Sequence, residues 1–132
     1  MIRGDILLVD DDPGFLAALA KTMTKHGQVV TTAADVADAL EAIKSRRQQF
    51  DLVITDLSMP KISGISLLTA LRSTFPEVKV IVITAFGDQT AQTEALREGA
   101  FAFLEKPLDL EAFLGVIQRA LKMRRPPSPQ ST

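Results

Sequence analysis

The chain has 132 residues, the size of one ordinary domain, and at that length it can bury about two thirds of its unfolded surface without a disulfide or a structural metal. It has no cysteine, which excludes disulfides, thiolate catalysis and cysteine-based zinc sites, and its 46% hydrophobic and 23% charged residues are a globular balance. The net charge of −1 gives no electrostatic pull toward nucleic acid or anionic lipid. The apolar runs are far shorter than the ~20 residues that span a bilayer, and the run after Asp5 is too short for a signal-peptide core.

Apolar runs alternate with helix-like stretches along the whole chain. The runs are Ile6-Leu7-Leu8-Val9, Val29-Val30, Leu52-Val53-Ile54, Val80-Ile81-Val82-Ile83 and Phe101-Ala102-Phe103-Leu104. Runs this short suit buried helix as well as strand, but their β-branched content and turn-like flanks favour strands covered on both faces. Asp12-Pro13 reads as a helix start, a carboxylate cap with proline at the first helical position, and the helix presents Phe15, Leu16, Leu19 and Met23 before Gly27 ends it. A second helix is expected from about Ala34 to Ser45 on Val36, Leu40 and Ile43, and a third from Gly64 on Leu67, Leu68 and Leu71, stopped by Pro76. A fourth, about Asp88 to Glu98, carries a weak stripe of Ala91, Ala95 and Leu96 and closes at Gly99. The fifth is the clearest, with Leu110, Phe113, Leu114, Ile117 and Leu121 at helical spacing.

Five βα units imply right-handed crossovers and a parallel sheet with helices on both faces, and they are too few for an eight-stranded barrel. The expected fold is therefore α/β, a flavodoxin-like (βα)5 doubly wound sheet of order 2-1-3-4-5. Ligands then sit at the carboxyl ends of the strands, between the first and third. Residues 1–123 form the expected domain; residues 124–132, rich in proline and serine, read as a tail or linker.

Each strand end carries chemistry. Asp10, Asp11 and Asp12 follow the first strand, Asp56 the third, Thr84-Ala85 the fourth and Lys106-Pro107 the fifth. Two carboxylates about 4 Å apart repel by roughly 4 kcal/mol at an effective dielectric near 20, so clustering Asp10, Asp11 and Asp56 is unfavourable unless a cation joins them. Hard oxygen ligands suit Mg²⁺, a carboxylate beside it can act as a nucleophile toward phosphorus, and a lysine and a hydroxyl can hold the phosphoryl oxygens.

The segments Ile6-Leu7-Leu8-Val9-Asp10-Asp11-Asp12, Val53-Ile54-Thr55-Asp56-Leu57-Ser58-Met59-Pro60 with Gly64, Val82-Ile83-Thr84-Ala85 and Phe103-Leu104-Glu105-Lys106-Pro107 together resemble receiver domains of two-component response regulators. The resemblance covers about Asp5 to Lys122, and the segments around Thr84-Ala85-Phe86-Gly87-Asp88 and Phe103 to Asp109 look most like receivers of nitrogen-regulation-type transcription activators. It implies Asp56 as phosphoacceptor, Asp11 as direct Mg²⁺ ligand, Asp10 as a ligand acting through water, and the Ser58 carbonyl as a further ligand. It implies Thr84 and Lys106 as phosphoryl-binding groups, with Ala85 beside them, a cis Lys106–Pro107 bond, and Phe103 as an aromatic switch without the tyrosine hydroxyl of many relatives. Phe86 and Ser58 occupy positions that tune phosphoryl lifetime in the family.

The implied function is a signalling switch rather than an enzyme, with slow intrinsic phosphotransfer and autodephosphorylation. The expected donor is phosphohistidine on a histidine kinase or histidine phosphotransfer protein. A homodimer through helix 4, strand 5 and helix 5 is expected by family analogy, in the cytoplasm, with no membrane and no direct nucleic acid contact within these residues. Two other readings stand beside it. Asp10, Asp12, Thr84 and Lys106 also match in outline a haloacid-dehalogenase-like phosphohydrolase, but Gly14 stands where that motif expects threonine or valine, and Asp56 and Met59-Pro60 stay unexplained. A receiver-like interaction module that is never phosphorylated is disfavoured by the intact Asp11, Asp56, Thr84 and Lys106. No phosphate loop or dinucleotide fingerprint occurs. Asp12 is better explained as a cap than as a ligand. His26, Arg46-Arg47 and the Asp38, Glu41 and Lys44 face read as solvated surface.

Overall fold

Apolar β-branched runs and capped amphipathic stretches alternate in this sequence, and each becomes the element its pattern predicts. The computed structural model describes residues 2–45, 50–56, 64–85 and 89–123. In chain order the elements are β1 (Asp5–Val9), α1 (Pro13–Lys25), β2 (Val29–Ala33), α2 (Val36–Ser45), β3 (Leu52–Asp56), α3 (Gly64–Thr74), β4 (Lys79–Thr84), α4 (Gln89–Arg97), β5 (Ala102–Glu105) and α5 (Leu110–Lys122). The strands form one parallel sheet of order β2-β1-β3-β4-β5, as expected.

Side-chain alternation divides the core in two. Leu7, Val9, Val53, Val80 and Val82 face α2, α3 and α4 and pack with Val36, Ala39, Leu67, Leu68, Leu71 and Ala95. Ile6, Leu8, Leu52, Ile54, Ile81 and Ile83 face α1 and α5 and pack with Leu19, Met23, Phe113, Val116, Ile117 and Leu121. Every residue of β3 is buried, so covering a strand on both faces is what removes polar alternation from its sequence.

The two edge strands depart from that expectation. β2 continues through Thr31, Thr32 and Ala33 beyond the short Val29-Val30 run, and Val29 is 42% exposed. All but the last residue of β5 are half-buried. An edge strand is covered from one side only, so its sequence tolerates threonine and exposed valine. The helix stripes are corrected in detail. Leu96 and Leu110 are exposed, whereas Val116 and Ala120 are buried and complete the α5 stripe. The expected starts of α2 at Ala34 and of α4 at Asp88 differ from the observed first residues Val36 and Gln89, and Asp88 lies outside the described residues.

Helix ends follow local chemistry. The Asp12 carboxylate accepts from the backbone N–H of Gly14 and Phe15, with Pro13 at the first helical position, so Asp12 caps α1 as the sequence indicated. Gly27 and Gly99 follow α1 and α4 with φ of 90° and 100°, the left-handed region that glycine enters at least cost. His26 closes α1, its Nδ1 2.9 Å from the Thr22 carbonyl oxygen.

The division between buried and exposed leucines is testable. Leu8→Ala, at a fully buried position, is expected to cost about 2–5 kcal/mol in a denaturant titration, and Leu96→Ala to stay within about 0.5 kcal/mol of wild type. Similar costs for the two would contradict the packing described.

Candidate functional site

β1 and β3 are neighbours in register, with Val9 opposite Thr55. The next residues, Asp10 and Asp56, therefore leave the sheet side by side at its carboxyl edge, where strand order reverses. Asp10 is fully buried, Asp56 is 4% exposed, and Asp11 is exposed. One carboxylate oxygen from each of Asp10, Asp11 and Asp56 lies within 4.8 Å of the others.

Backbone contacts hold these groups in place. The Asp10 N–H donates to the Ala33 carbonyl at 3.1 Å, which carries the β1–β2 ladder one residue past the strand. Asp10 Oδ1 accepts from the Asp12 N–H at 2.9 Å. On the other side, the Lys106 N–H donates to the Thr84 carbonyl at 2.8 Å and so extends the β4–β5 ladder. The Lys106–Pro107 peptide is cis. From there the Lys106 ammonium reaches across the end of β4 and donates to Asp10 Oδ2 at 2.9 Å and to Asp56 Oδ2 at 3.0 Å. One ammonium thus bridges two carboxylates of a group of three. That balance, and a donor set made of hard oxygens, fits a small divalent cation.

Burial raises the Asp10 carboxyl above its ordinary value of 3.8, and repulsion from Asp56 adds to it. The hydrogen bonds from the Asp12 N–H and the Lys106 ammonium act in the opposite direction without offsetting it. For Lys106, burial alone would lower the pKa, but the hydrogen bonds to Asp10 and Asp56 outweigh it and hold the ammonium above its usual 10.5. Asp10 is therefore disfavoured as an anion, and Lys106 is favoured as a cation.

The other expected site residues divide into two groups. Thr84 is the last residue of β4 and is buried, with Ala85 exposed just beyond it. Phe103 pairs with Val82 across β4 and β5 and packs, partly buried, against the core on the α4 face. Ser58 and Phe86, like Leu57, Met59-Pro60, Arg46-Arg47 and the 124–132 tail, lie outside the described residues. Asp12 spends its carboxylate on capping α1, which removes the second acid of the hydrolase motif. One neighbour of the site was not singled out in the sequence. The Phe15 ring sits under the Lys106 ammonium, 4.0 Å from ring centroid to Nζ. In the sequence Phe15 is indistinguishable from the core stripe of α1; its place three residues after the cap, in the first turn, is the only signal.

The Asp10 balance gives a prediction with a definite sign. Its folded pKa is raised, so the stability Asp10 contributes is fully present below 3.8 and is lost as pH rises through its folded value. In metal-free buffer at neutral pH, Asp10→Asn is expected to be more stable than wild type by about 0.5–2 kcal/mol. The advantage should fade as pH falls toward 3.8, read by denaturant titration at several pH values. A destabilised variant at neutral pH would contradict this electrostatic reading.

The geometry has close counterparts. Residues 6–118 match the family model described as "Response regulator receiver domain". The chain is 34% identical over 121 residues to the DNA-binding transcriptional regulator NtrC of Proteus hauseri, covering 92% of this chain and 25% of that protein. It is 38% identical over 121 residues to the transcriptional regulatory protein GlrR of Escherichia coli (strain K12), covering 92% and 27%. The chain thus spans about a quarter of the length of these relatives. Among solved structures, a response regulator receiver domain protein from Clostridium thermocellum superposes with a TM-score of 0.84 at 31% identity, covering 89% of this chain and 94% of that one. The nitrogen-regulation likeness read from the sequence is matched by the NtrC relative. By its matched segment, its strand order and these relatives, the chain belongs to the response regulator receiver domain family of two-component systems.

Proposed function

We propose that this receiver is a Mg²⁺-dependent phosphoryl acceptor in a phosphorelay, with Asp56 as the residue that is phosphorylated. The observation that carries the reading is the Lys106 ammonium bridging Asp10 and Asp56 at 2.9 and 3.0 Å, within a cluster of three carboxylates. Asp11 and Asp56 would hold the ion directly, Asp10 through water, and the Ser58 carbonyl would supply a further oxygen. When bound, the ion would offset negative charge on the phosphoryl oxygens.

The donor in this reading is phosphohistidine on a histidine kinase or histidine phosphotransfer protein. A carboxylate oxygen of Asp56 attacks phosphorus, and the phosphorus–nitrogen bond breaks. The electron pair leaves with the imidazole nitrogen, which takes a proton from solvent. Lys106 pairs with one phosphoryl oxygen and the Thr84 hydroxyl donates to another. Thr84 and Val82 share a sheet face, and Phe103 pairs with Val82, so a movement of Thr84 would be felt on the α4–β5–α5 surface. That surface is the proposed contact for an output domain or for a second copy of the chain. Phe103 would transmit the change by packing alone, since it has no hydroxyl.

The functional unit in this reading is residues 1–123, with 124–132 as a tail or linker. The names of the relatives support transcription regulation as the output of a longer protein; that this segment itself makes no nucleic acid contact is part of the proposal. A cytoplasmic setting is part of the proposal; among the described residues no helix is long and apolar enough to cross a membrane.

Acetyl phosphate with Mg²⁺, followed by intact mass measurement, tests the assignment. Wild type is expected to gain one phosphoryl group, Asp56→Asn to gain none, and removal of Mg²⁺ with a chelator to reduce labelling by roughly 100-fold or more. Labelling of Asp56→Asn to the same extent, or labelling indifferent to the chelator, would overturn it.

A further inference from the structure

The Lys106 side chain is held by more than its two carboxylates. Lysine is among the side chains with most rotamer freedom to lose, and this one remains 18% exposed at the rim of the site. On its third side lies the Phe15 ring, 4.0 Å from centroid to Nζ, within the range where an ammonium is attracted to the negative face of an aromatic ring. The ring is itself fixed. Phe15 stands in the first turn of α1, its backbone N–H held by the Asp12 cap at 3.2 Å, and its side chain packs partly buried against the α1–α5 core. A single segment, Asp10 to Phe15, thus carries one of the two acids that meet the lysine and the ring that lies beneath it.

We propose that Phe15 is a positioning residue for phosphoryl transfer: its ring face holds the Lys106 ammonium over Asp56, where it meets the incoming phosphoryl oxygens. The inference rests on the assignment of Asp56 as phosphoacceptor and Lys106 as its partner. An ordinary core role for Phe15 requires only apolar volume. A positioning role requires the electron-rich face of the ring, and this difference separates the two.

The test uses the full chain with acetyl phosphate and saturating Mg²⁺, and reads the initial rate of phosphoryl gain at Asp56 by intact mass. The small donor removes any effect on kinase docking. Phenylalanine bearing one, two or three ring fluorines is placed at position 15 alone, because the chain has 7 phenylalanines. Fluorination drains the ring face while nearly keeping its volume. The rate is expected to fall stepwise with fluorination, by roughly two- to five-fold at the third fluorine. Phe15→Leu should fall to a similar rate and Phe15→Tyr, which keeps the ring face, should stay near wild type, with Mg²⁺ affinity and melting temperature of the fluorinated forms unchanged. A rate independent of fluorination, a Phe15→Leu rate equal to wild type, or a Phe15→Tyr rate as low as that of Phe15→Leu would overturn the inference while leaving the assignment of Asp56 intact. A wild-type chain that gains no phosphoryl group overturns both.

Discussion

Electrostatic repulsion among Asp10, Asp11 and Asp56 is the constraint around which this molecule is organised. The fold brings their oxygens within 4.8 Å of one another and buries two of the three side chains, an arrangement that costs free energy in isolation. Lys106 relieves part of that cost through two charge-assisted hydrogen bonds, and it does so from a different strand end, 50 residues from Asp56 in sequence. The apolar sheet beneath supplies the stability that holds the cluster together. Such a site suits a divalent cation, because an ion would remove a penalty that folding has already incurred.

The route from sequence to site runs through register. Strands β1, β3 and β4 are buried on both faces, and the length of each run sets where its carboxyl end emerges. Val9 opposite Thr55 places Asp10 beside Asp56, and Thr84 opposite Glu105 places Lys106 beside the end of β4. A slip of one residue in either ladder would turn these polar side chains to the opposite face of the sheet. The Lys106 N–H to Thr84 carbonyl bond continues the β4–β5 ladder past β5 and guards against that slip there, and the Asp10 N–H to Ala33 carbonyl bond ties Asp10 to β2 on its other side.

Much of this was legible in the residues themselves. Unbroken apolar runs marked the central strands, Asp12-Pro13 marked the start of α1, and the positions of Asp10, Asp56, Thr84 and Lys106 after successive runs marked the edge where they meet. What escaped was whatever depends on exposure or on the third dimension. Leu96 and Leu110 fit helical stripes by spacing but are 45% and 44% exposed, whereas Val116 and Ala120 are buried in the core between α5 and the sheet. β2 extends through two threonines because an edge strand needs cover on one side only. The ring of Phe15 under Lys106 could not be read from spacing, since 91 residues separate the two and nothing in an amphipathic stripe distinguishes a core aromatic from one that touches an ammonium.

The convergence of the acids on one cation is open to direct observation. With Mn²⁺ as a paramagnetic stand-in for Mg²⁺, amide resonances close to the ion broaden first in a two-dimensional NMR titration. The account predicts that Asp10, Asp11, Asp12 and Asp56 broaden at the lowest Mn²⁺ concentrations, that excess Mg²⁺ restores them, and that Asp11→Asn suppresses the effect. Broadening centred elsewhere on the surface, or none at concentrations where related oxygen sites fill, would contradict it.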